Sequence, residues 1–314
     1  MYYGFQCVTG HILSLFTTIL PMNKITEKPF AYAMITVYFL FHILGWFAHG
    51  KDCINSDNEF LSFSAKSWIF FSINAAIAYF SAAFSDPGFL TEDWNKNHPN
   101  EKFTSTNQED EKLFCDKCKI TRPPRAHHCK ECKKCVILFD HHCVFVDNCI
   151  GYRTLRPYLV FLITFPLDGI FGCLMMITNM NYHPGKHAFK ALVFAFSLLY
   201  YFAFLLVDFY QLYILISNLI INSTEVENER DKSQKPDYDL MCVDQVPEFD
   251  TNSIIKNLKM RLGNNPFLWL FPYAYNDLPI LYPKNKKFVP YSQVKVRKTH
   301  SMNQNDIEKA NRRK

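Results

Sequence analysis

Charged residues are almost absent from four long stretches of this 314-residue chain. Two of the stretches hold no Asp, Glu, Lys or Arg, the third holds one aspartate, and the fourth holds one aspartate and Lys190. In order, they are Phe30–Phe47, Ser67–Phe84, Tyr158–Met180 and Ala188–Ile221. Each is close to or above the roughly 20 residues that cross a hydrocarbon core of about 30 Å. Length alone would allow one or two soluble domains, but this distribution excludes them. The sequence therefore predicts four transmembrane helices.

The N-terminal end has no Lys or Arg from Met1 to Cys7, and this lack argues against a secretory signal peptide. The apolar segment Phe5–Met22 contains glycine, histidine and several hydroxyl groups. We interpret it as an interfacial or partly buried segment, with an additional span as the alternative. The expected number of spans stays at four.

Lysine and arginine set the expected orientation, because cytosolic loops next to membrane spans are enriched in them. The loop Asp86–Arg156 has twelve of these residues, whereas Gly50–Lys66 is short and mildly acidic. We therefore expect the long loop and both termini on the cytosolic side. The tail Pro283–Lys314 has ten Lys or Arg. It fits a segment near an anionic cytoplasmic leaflet or a solvated disordered tail, and a nucleic-acid-binding arm is the weaker alternative.

Cysteine is concentrated in one place. Seven of the eleven cysteines lie between Cys115 and Cys149, in the order C-x2-C-x9-H-C-x2-C-x2-C-x4-D-H-H-C-x5-C. Short-spaced cysteine pairs with interleaved histidines suit tetrahedral Zn²⁺ better than a disulfide framework, and they indicate a reducing, cytosolic setting. Two ions with three thiolates and one imidazole each need six cysteines and two histidines. One cysteine is left over as a candidate nucleophile, and the spacing does not decide which histidines are ligands.

Several motifs resemble one family. The cluster, with Arg122-Pro123 and Arg125 ahead of its first histidines, resembles the cysteine-rich domain of the DHHC protein S-acyltransferases, or palmitoyltransferases. Three further elements are similar to the DPG, TTxE and C-terminal elements of that family: Asp86-Pro87-Gly88, Asn222–Glu227, and Asn257–Gly263 with Asn265–Trp269. The resemblance covers about residues 30 to 275.

The resemblance implies an all-α membrane protein with a cytosolic two-zinc domain between the second and third of four transmembrane helices. The implied divisions are an N-terminal segment, the first helix pair, the zinc domain, the second helix pair and a C-terminal region: 1–29, 30–85, 86–156, 157–221 and 222–314. The implied activity is transfer of a palmitoyl or other long-chain acyl group from acyl-CoA to substrate cysteines. The expected partners are the bilayer, acyl-CoA and proteins with juxtamembrane cysteines, without nucleic acid, and an endomembrane such as the ER or Golgi is favoured over the plasma membrane.

By the same resemblance, Cys143 is the acyl-accepting cysteine, and Asp140 and His141 are the pair that activates it. A thiolate is the nucleophile, so a neighbouring base held by an acid is the arrangement that such a cysteine needs. The two structural zinc sites are matched by Cys115, Cys118, His128 and Cys135, and by Cys129, Cys132, His142 and Cys149.

Two further residues have expected roles in acyl-CoA binding. The arginines expected near the CoA head are Arg122, Arg125, Arg153 and Arg156, and Arg125 fits the family pattern best. The alternative is that these side chains stay in water or pair with acids. Asp168 lies near mid-membrane, because it follows about 11 residues of the third stretch at 1.5 Å each. We expect it to limit or polarise the acyl cavity, with a structural hydrogen bond between helices as the alternative.

The C-terminal region has helical spacing of apolar residues over Ser253–Leu262, which suits a helix on the membrane surface. Trp269 is expected to pack against the other domains. The chain departs from the family where Val144-Phe145 replaces Pro-Trp, and also at Thr154, Tyr158 and Glu225. Because none of these positions is a zinc ligand or a member of the catalytic group, we expect an active enzyme. The alternatives are a zinc module that only binds partners and, least favoured, a nucleic-acid-binding finger.

Overall fold

Four long helices dominate the computed structural model, which describes residues 27–91, 114–182, 187–228 and 248–273. They are α1 Glu27–Gly45, α2 Glu59–Phe84, α3 Leu155–Tyr182 and α4 His187–Ile220. All four are long and apolar enough to cross a membrane, which confirms the predicted count. The interpretations of Phe5–Met22 and Pro283–Lys314 lie outside the described residues.

The loop between the first two helices is shorter than the expected Gly50–Lys66. Helix α1 continues through a π-helical turn, Trp46–Gly50, into a last turn, Lys51–Cys53. Helix α2 begins after Asn58, whose side chain caps it by accepting from the Leu61 amide at 3.0 Å. At the start of α2, the hydroxyls of Ser62 and Ser64 donate to backbone carbonyls, both at 2.8 Å.

Small residues let the helices approach closely. A side chain at Gly172 of α3 would meet the Trp68 ring of α2 at 3.1 Å. A side chain at Gly169 would come within 2.6 Å of Tyr201 on α4. Lipid tails are as apolar as the helix surfaces, so association in a bilayer depends on this kind of close packing and on polar contacts. The outer faces carry exposed large side chains such as Phe70 and Leu199, as expected next to lipid.

The segment between α2 and α3 consists of three antiparallel hairpins, so the mostly helical fold has a β-structured insertion. Its strands pair in sequence order: β1 Phe114–Cys115 with β2 Ile120–Thr121, β3 His127–Cys129 with β4 Lys134–Val136, and β5 His141–Cys143 with β6 Asn148–Ile150. The turns use left-handed residues, with φ of 55° at Lys119, 54° at Lys133 and 49° at Asp147. Each turn therefore brings the two ends of its hairpin together.

The insertion is fixed to the C-terminal end of α2 by two polar links. The Asp86 carboxyl accepts from the amides of Gly88 and Phe89 and from Arg153, at 2.8–2.9 Å. Gly88 has φ of 102°, which favours glycine at this turn. The Asn148 side chain donates to the carbonyls of Ala82 and Ser85, both at 2.9 Å. The last hairpin is thereby held at the mouth of the helix bundle.

The C-terminal element packs on this junction. Helix α5, Ile254–Leu262, is followed by a 3₁₀ turn, Pro266–Leu268. Its inner face is buried, with Leu258 and Trp269 packed against the core cluster that includes Cys143. Because Ile254 and Ile255 remain exposed, the expected contact of this helix with the membrane surface stays a prediction. Trp269 packs on protein, as expected.

Candidate active site and metal centres

Two groups of four ligands form within the hairpins. One consists of Cys115, Cys118, His128 and Cys135, and the other of Cys129, Cys132, His142 and Cys149. In each group the ligand atoms all lie within 4.8 Å of one another. Of the histidines whose choice spacing left open, His128 and His142 join the groups, while His127 and His141 lie outside them.

The ligand distances fit a tetrahedral ion. In the first group the sulfurs of Cys115, Cys118 and Cys135 lie 3.6, 3.2 and 3.9 Å from Nδ1 of His128. In the second group the corresponding distances to His142 are 3.4–3.6 Å. Zn²⁺ bonds of about 2.3 Å to sulfur and 2.0–2.1 Å to nitrogen give tetrahedral edges of roughly 3.5–3.8 Å. All cysteines of the described residues are free, so the groups suit metal ions rather than disulfides.

The two groups share the hairpins between them. His128 belongs to the first group and the next residue, Cys129, to the second. In the last hairpin His142 is paired with Cys149, both from the second group, and Cys143 is paired with Asn148. The side chain of Cys143 is thereby held next to a metal ligand without being one itself.

Asp140 and His141 form a buried pair beside this cysteine. The Asp140 carboxylate accepts from Nδ1 of His141 at 3.0 Å. The second ring nitrogen, Nε2, is therefore the one that is not bound to Asp140. Burial raises the pKa of Asp140, but the bond and charge of His141 and the charge of Arg261 lower it more, so the pKa lies below its ordinary value. Asp140 is therefore a carboxylate that holds a single tautomer and orientation of His141.

Cys143 is 4% exposed. Burial raises the pKa of its thiol, but His141 and the amides of Phe145 and Val146 outweigh burial and bring the pKa below its ordinary value. Burial lowers the pKa of His141, while Asp140 and Cys143 raise it well above its ordinary value. The two shifts favour a thiolate beside an imidazolium, which is the reactive form of a cysteine nucleophile.

Two of the departures from the family pattern lie at this site. The Tyr158 hydroxyl is 4.0 Å from the Cys143 sulfur. Glu225 donates its amide to Asp140 at 3.2 Å, and its carboxylate lies 3.4 Å from Nδ1 of His141. From the sequence, Tyr158 and Glu225 were both expected to lie outside the catalytic group. The structure instead places them in contact with it, because the start of α3 and the helical turn at 225–228 close over the last hairpin.

Arg125 has a different place from the one expected. It is 5% exposed, and its guanidinium donates to Glu227 at 2.7 and 2.9 Å and to Asn222 at 2.9 and 3.0 Å. Burial raises the pKa of Glu227, but the charge and hydrogen bonds of Arg125 outweigh it, so the pKa is below its ordinary value. Arg125 thus joins the insertion to the segment after α4, and its guanidinium is committed to protein groups instead of a CoA phosphate.

Arg261 is a functional residue that sequence reasoning missed. It is 1% exposed on α5, donates to the backbone carbonyl of Ser223, and lies 3.6 Å from Asp140. A buried arginine needs acceptors around it, so this contact fixes the C-terminal element to the catalytic group. The only signal in the sequence was its position within the C-terminal element that resembles the family.

An apolar cavity opens beside the catalytic group and continues between the helices. Phe145 and Tyr158 line it near Cys143, and Leu162 and Phe165 continue the wall along α3. Tyr38 of α1 lines its deeper part. The arrangement provides an apolar compartment near a buried thiol, because Tyr158 both lines the cavity and lies 4.0 Å from the Cys143 sulfur.

Asp168 lies behind this cavity and does not line it. It is fully buried and accepts from one or two side chains of every other membrane helix: Tyr38 at 3.1 Å and His42 at 3.1 Å from α1, Ser72 from α2, and Tyr201 at 2.7 Å from α4. Asp168 is linked to the cavity indirectly, because Tyr38 lines the cavity and donates to its carboxylate. The geometry favours the alternative of a hydrogen bond between helices, in a form that also positions a cavity residue.

Comparisons with known proteins agree with this architecture. The family model described as DHHC palmitoyltransferase matches residues 108–232. The probable protein S-acyltransferase 12 of Arabidopsis thaliana is 31% identical over 219 residues, which cover 64% of this chain and 70% of the relative. The probable protein S-acyltransferase 14 of the same plant is 29% identical, with 64% and 69% covered. The palmitoyltransferase ERF2 of Candida glabrata is 36% identical over 120 residues, covering 34% of this chain and 36% of the relative.

Proposed function

Because the chain belongs to the DHHC palmitoyltransferase family and is a protein S-acyltransferase, we propose that Cys143 carries the acyl group as a thioester between acyl-CoA and a substrate cysteine. One observation carries the proposal. Cys143 is a buried cysteine outside both ligand groups, and it lies beside the Asp140–His141 pair and beside Tyr158, which lines the apolar cavity.

The first half of the reaction loads the enzyme. His141 takes the thiol proton of Cys143, and the thiolate attacks the carbonyl carbon of the acyl-CoA thioester. The bond between that carbon and the CoA sulfur breaks, and the departing CoA thiolate takes the proton from His141. Asp140 stays ionised and stabilises the imidazolium that forms between these steps.

The second half unloads it. His141 takes the proton of a substrate cysteine, whose thiolate attacks the acyl carbon on Cys143. The Cys143 sulfur leaves and recovers the proton from His141, so the enzyme returns to its starting state. The two ligand groups would hold two Zn²⁺ ions, whose chemistry is to cross-link the hairpins and so fix the position of Cys143.

The membrane arrangement follows from the same site. The acyl tail occupies the cavity between the helices, which keeps it out of water, while the CoA head stays at the surface. We place this surface on the cytosolic side, in line with the many Lys and Arg of residues 86–156. An endomembrane location and substrate cysteines close to a membrane agree with a thiol held at the mouth of a membrane helix bundle.

The direct test is labelling of the purified full chain with an alkyne analogue of palmitoyl-CoA. We expect about one label per chain, removed by hydroxylamine and transferred to a cysteine peptide added afterwards. A label that resists hydroxylamine, or no label in a chain with intact helices, contradicts the proposal.

The deeper part of the cavity, which Tyr38 lines, should control which lengths of acyl chain the enzyme accepts. Replacing Asp168 by alanine removes the nearer of the two acceptors of the Tyr38 hydroxyl and leaves only the Ser72 carbonyl at 3.4 Å. It also removes the acceptor of Tyr201, and a hydroxyl that loses its partner in hydrocarbon costs roughly 1–3 kcal/mol. Tyr38 should then leave its position, so that longer acyl-CoAs gain relative to shorter ones by a few fold. Autoacylation rates across a series of chain lengths measure this change.

Ser72→Ala is the matched control, because Ser72 bonds to the same carboxylate but does not line the cavity. Its length profile should equal that of the wild type. If Asp168→Ala folds less well and yet keeps the wild-type profile, Asp168 has only a structural role.

A further inference from the structure

One acidic side chain on the cavity wall has no use in the reaction described above. Asp208 of α4 lines the cavity and is 6% exposed, and its Oδ2 atom is buried with no hydrogen-bond partner among the described residues. An unpaired polar group in such a place is costly, and acids within membrane helices usually serve a ligand, an ion or a proton.

The other hydroxyls that line the cavity are already used. Tyr38 donates to Asp168, Tyr79 to the Phe145 carbonyl at 3.1 Å, and Tyr200 to the Met34 carbonyl at 3.4 Å. The fourth, Tyr158, has its hydroxyl 4.0 Å from the Cys143 sulfur and belongs to the catalytic group. Asp208 therefore stands apart from its neighbours in the same wall. Gln211, three residues further along α4, also lines the cavity and adds an amide on the same helix face.

Asp208 is deep in the cavity. Cys143 belongs to the same core cluster as Leu215 and Leu219. These two leucines therefore indicate which part of α4 lies at the same depth as Cys143. Asp208 precedes these residues by seven and eleven positions, or roughly 10 to 16 Å at 1.5 Å per residue. An acyl chain that starts at the Cys143 sulfur thus passes Asp208 with its middle part, well away from the thioester.

We propose that this cavity accepts acyl chains that carry a hydroxyl group in their middle part, with Asp208 as the residue that recognises the hydroxyl. The inference rests on the proposed function, because the ligand is the acyl group of the donor. A carboxyl surrounded by hydrocarbon is held neutral, so it offers one donor and one acceptor, as a hydroxyl does. A purely apolar cavity would reject the hydroxyl because it would lose its hydrogen bonds to water. Asp208 replaces them, and Gln211 supplies a second set of polar atoms.

The test is a competition on the full chain in lipid nanodiscs. Palmitoyl-CoA competes at equal concentration with hydroxypalmitoyl-CoA whose hydroxyl is near the carbonyl, in the middle of the chain or at the methyl end. Mass spectrometry of the intact protein gives the ratio of acyl groups on Cys143. We expect the mid-chain isomer to exceed palmitoyl by on the order of threefold to tenfold, the effect of one net hydrogen bond. Equal or weaker loading of that isomer, or equal preference for all three isomers, overturns the inference.

Variants assign the preference to the side chain. Asp208→Leu should remove it, whereas Asp208→Asn, which keeps a donor and an acceptor, should retain it. Ser197→Ala is the matched control, since Ser197 is another buried group of α4 without a hydrogen-bond partner among the described residues, but outside this cavity. A preference that survives in Asp208→Leu contradicts the assignment, and if that variant fails to fold, the wild-type isomer series and the asparagine variant decide. Loss of palmitoyl loading in the wild type would instead refute the proposed function itself.

Discussion

Replacing Cys143 by serine should abolish thioester loading while the chain stays folded and keeps its metal ions. Cys143 is in neither ligand group, and a serine hydroxyl fits the same buried space. A hydroxyl is far less acidic than a thiol, so His141 cannot produce the nucleophile. We expect the rate of loading to fall by on the order of 10³-fold or more. Hydroxylamine-sensitive labelling with the alkyne acyl-CoA measures the effect.

Cys173→Ser provides the comparison. Cys173 is a half-buried free cysteine of α3 that belongs to neither ligand group. This variant should label like the wild type, which shows that the loss is specific to the position and not to any free thiol. Labelling of Cys143→Ser at the wild-type level would remove Cys143 from the mechanism.

Removal of the metal should unfold the insertion before it affects the membrane helices. The hairpins have strands of only two or three residues, and isolated two-stranded hairpins are marginal in water. A structural Zn²⁺ contributes on the order of 10 kcal/mol in small domains, so the ligand groups supply most of the stability here. Metal analysis should give two zinc ions per chain. After chelation, proteolysis should cut within residues 114–150 while circular dichroism still reports the long helices.

Variants of single ligands sharpen this test. Cys149→Ser should lose metal and acyl loading together, because the second group holds the hairpin that carries Cys143. His127→Ala should keep two ions, since His127 lies outside both groups. One zinc ion per wild-type chain would contradict the assignment of the two groups.

The sequence predicts most of the metal-binding and membrane architecture. Hydropathy identifies the four helices because the signal accumulates over about 20 residues. Ligand counting identifies two zinc sites because coordination number is fixed by chemistry. Neither argument reaches the choice between adjacent histidines, which depends on the direction of the side chains in the hairpins. Helix ends were also missed, because polar residues near them bond to the backbone.

Contacts between distant segments could not be predicted in this way. Arg125 and Glu227 are 102 positions apart, and no local pattern indicates that they form a buried pair. The expectation that Arg125 binds CoA rested on its charge and on its match to the family pattern. Glu225 and Tyr158 were set aside because they are neither zinc ligands nor members of the catalytic group, yet folding brings both to Asp140, His141 or Cys143. The position of a departure in the fold, rather than in the motif, determines its importance.

The place of Asp168 also bears on how the protein is synthesised. Its carboxyl contacts side chains of the three other membrane helices, α1, α2 and α4. Helices enter a bilayer in sequence, so α3 brings an acid into lipid when only α1 and α2 can offer it partners, and the set is complete only after α4 arrives. A chain that lacks α4 leaves the carboxyl without its bond from Tyr201, and the assembled chain does not. The complete set of partners for this one acid therefore exists only when all four helices are in place.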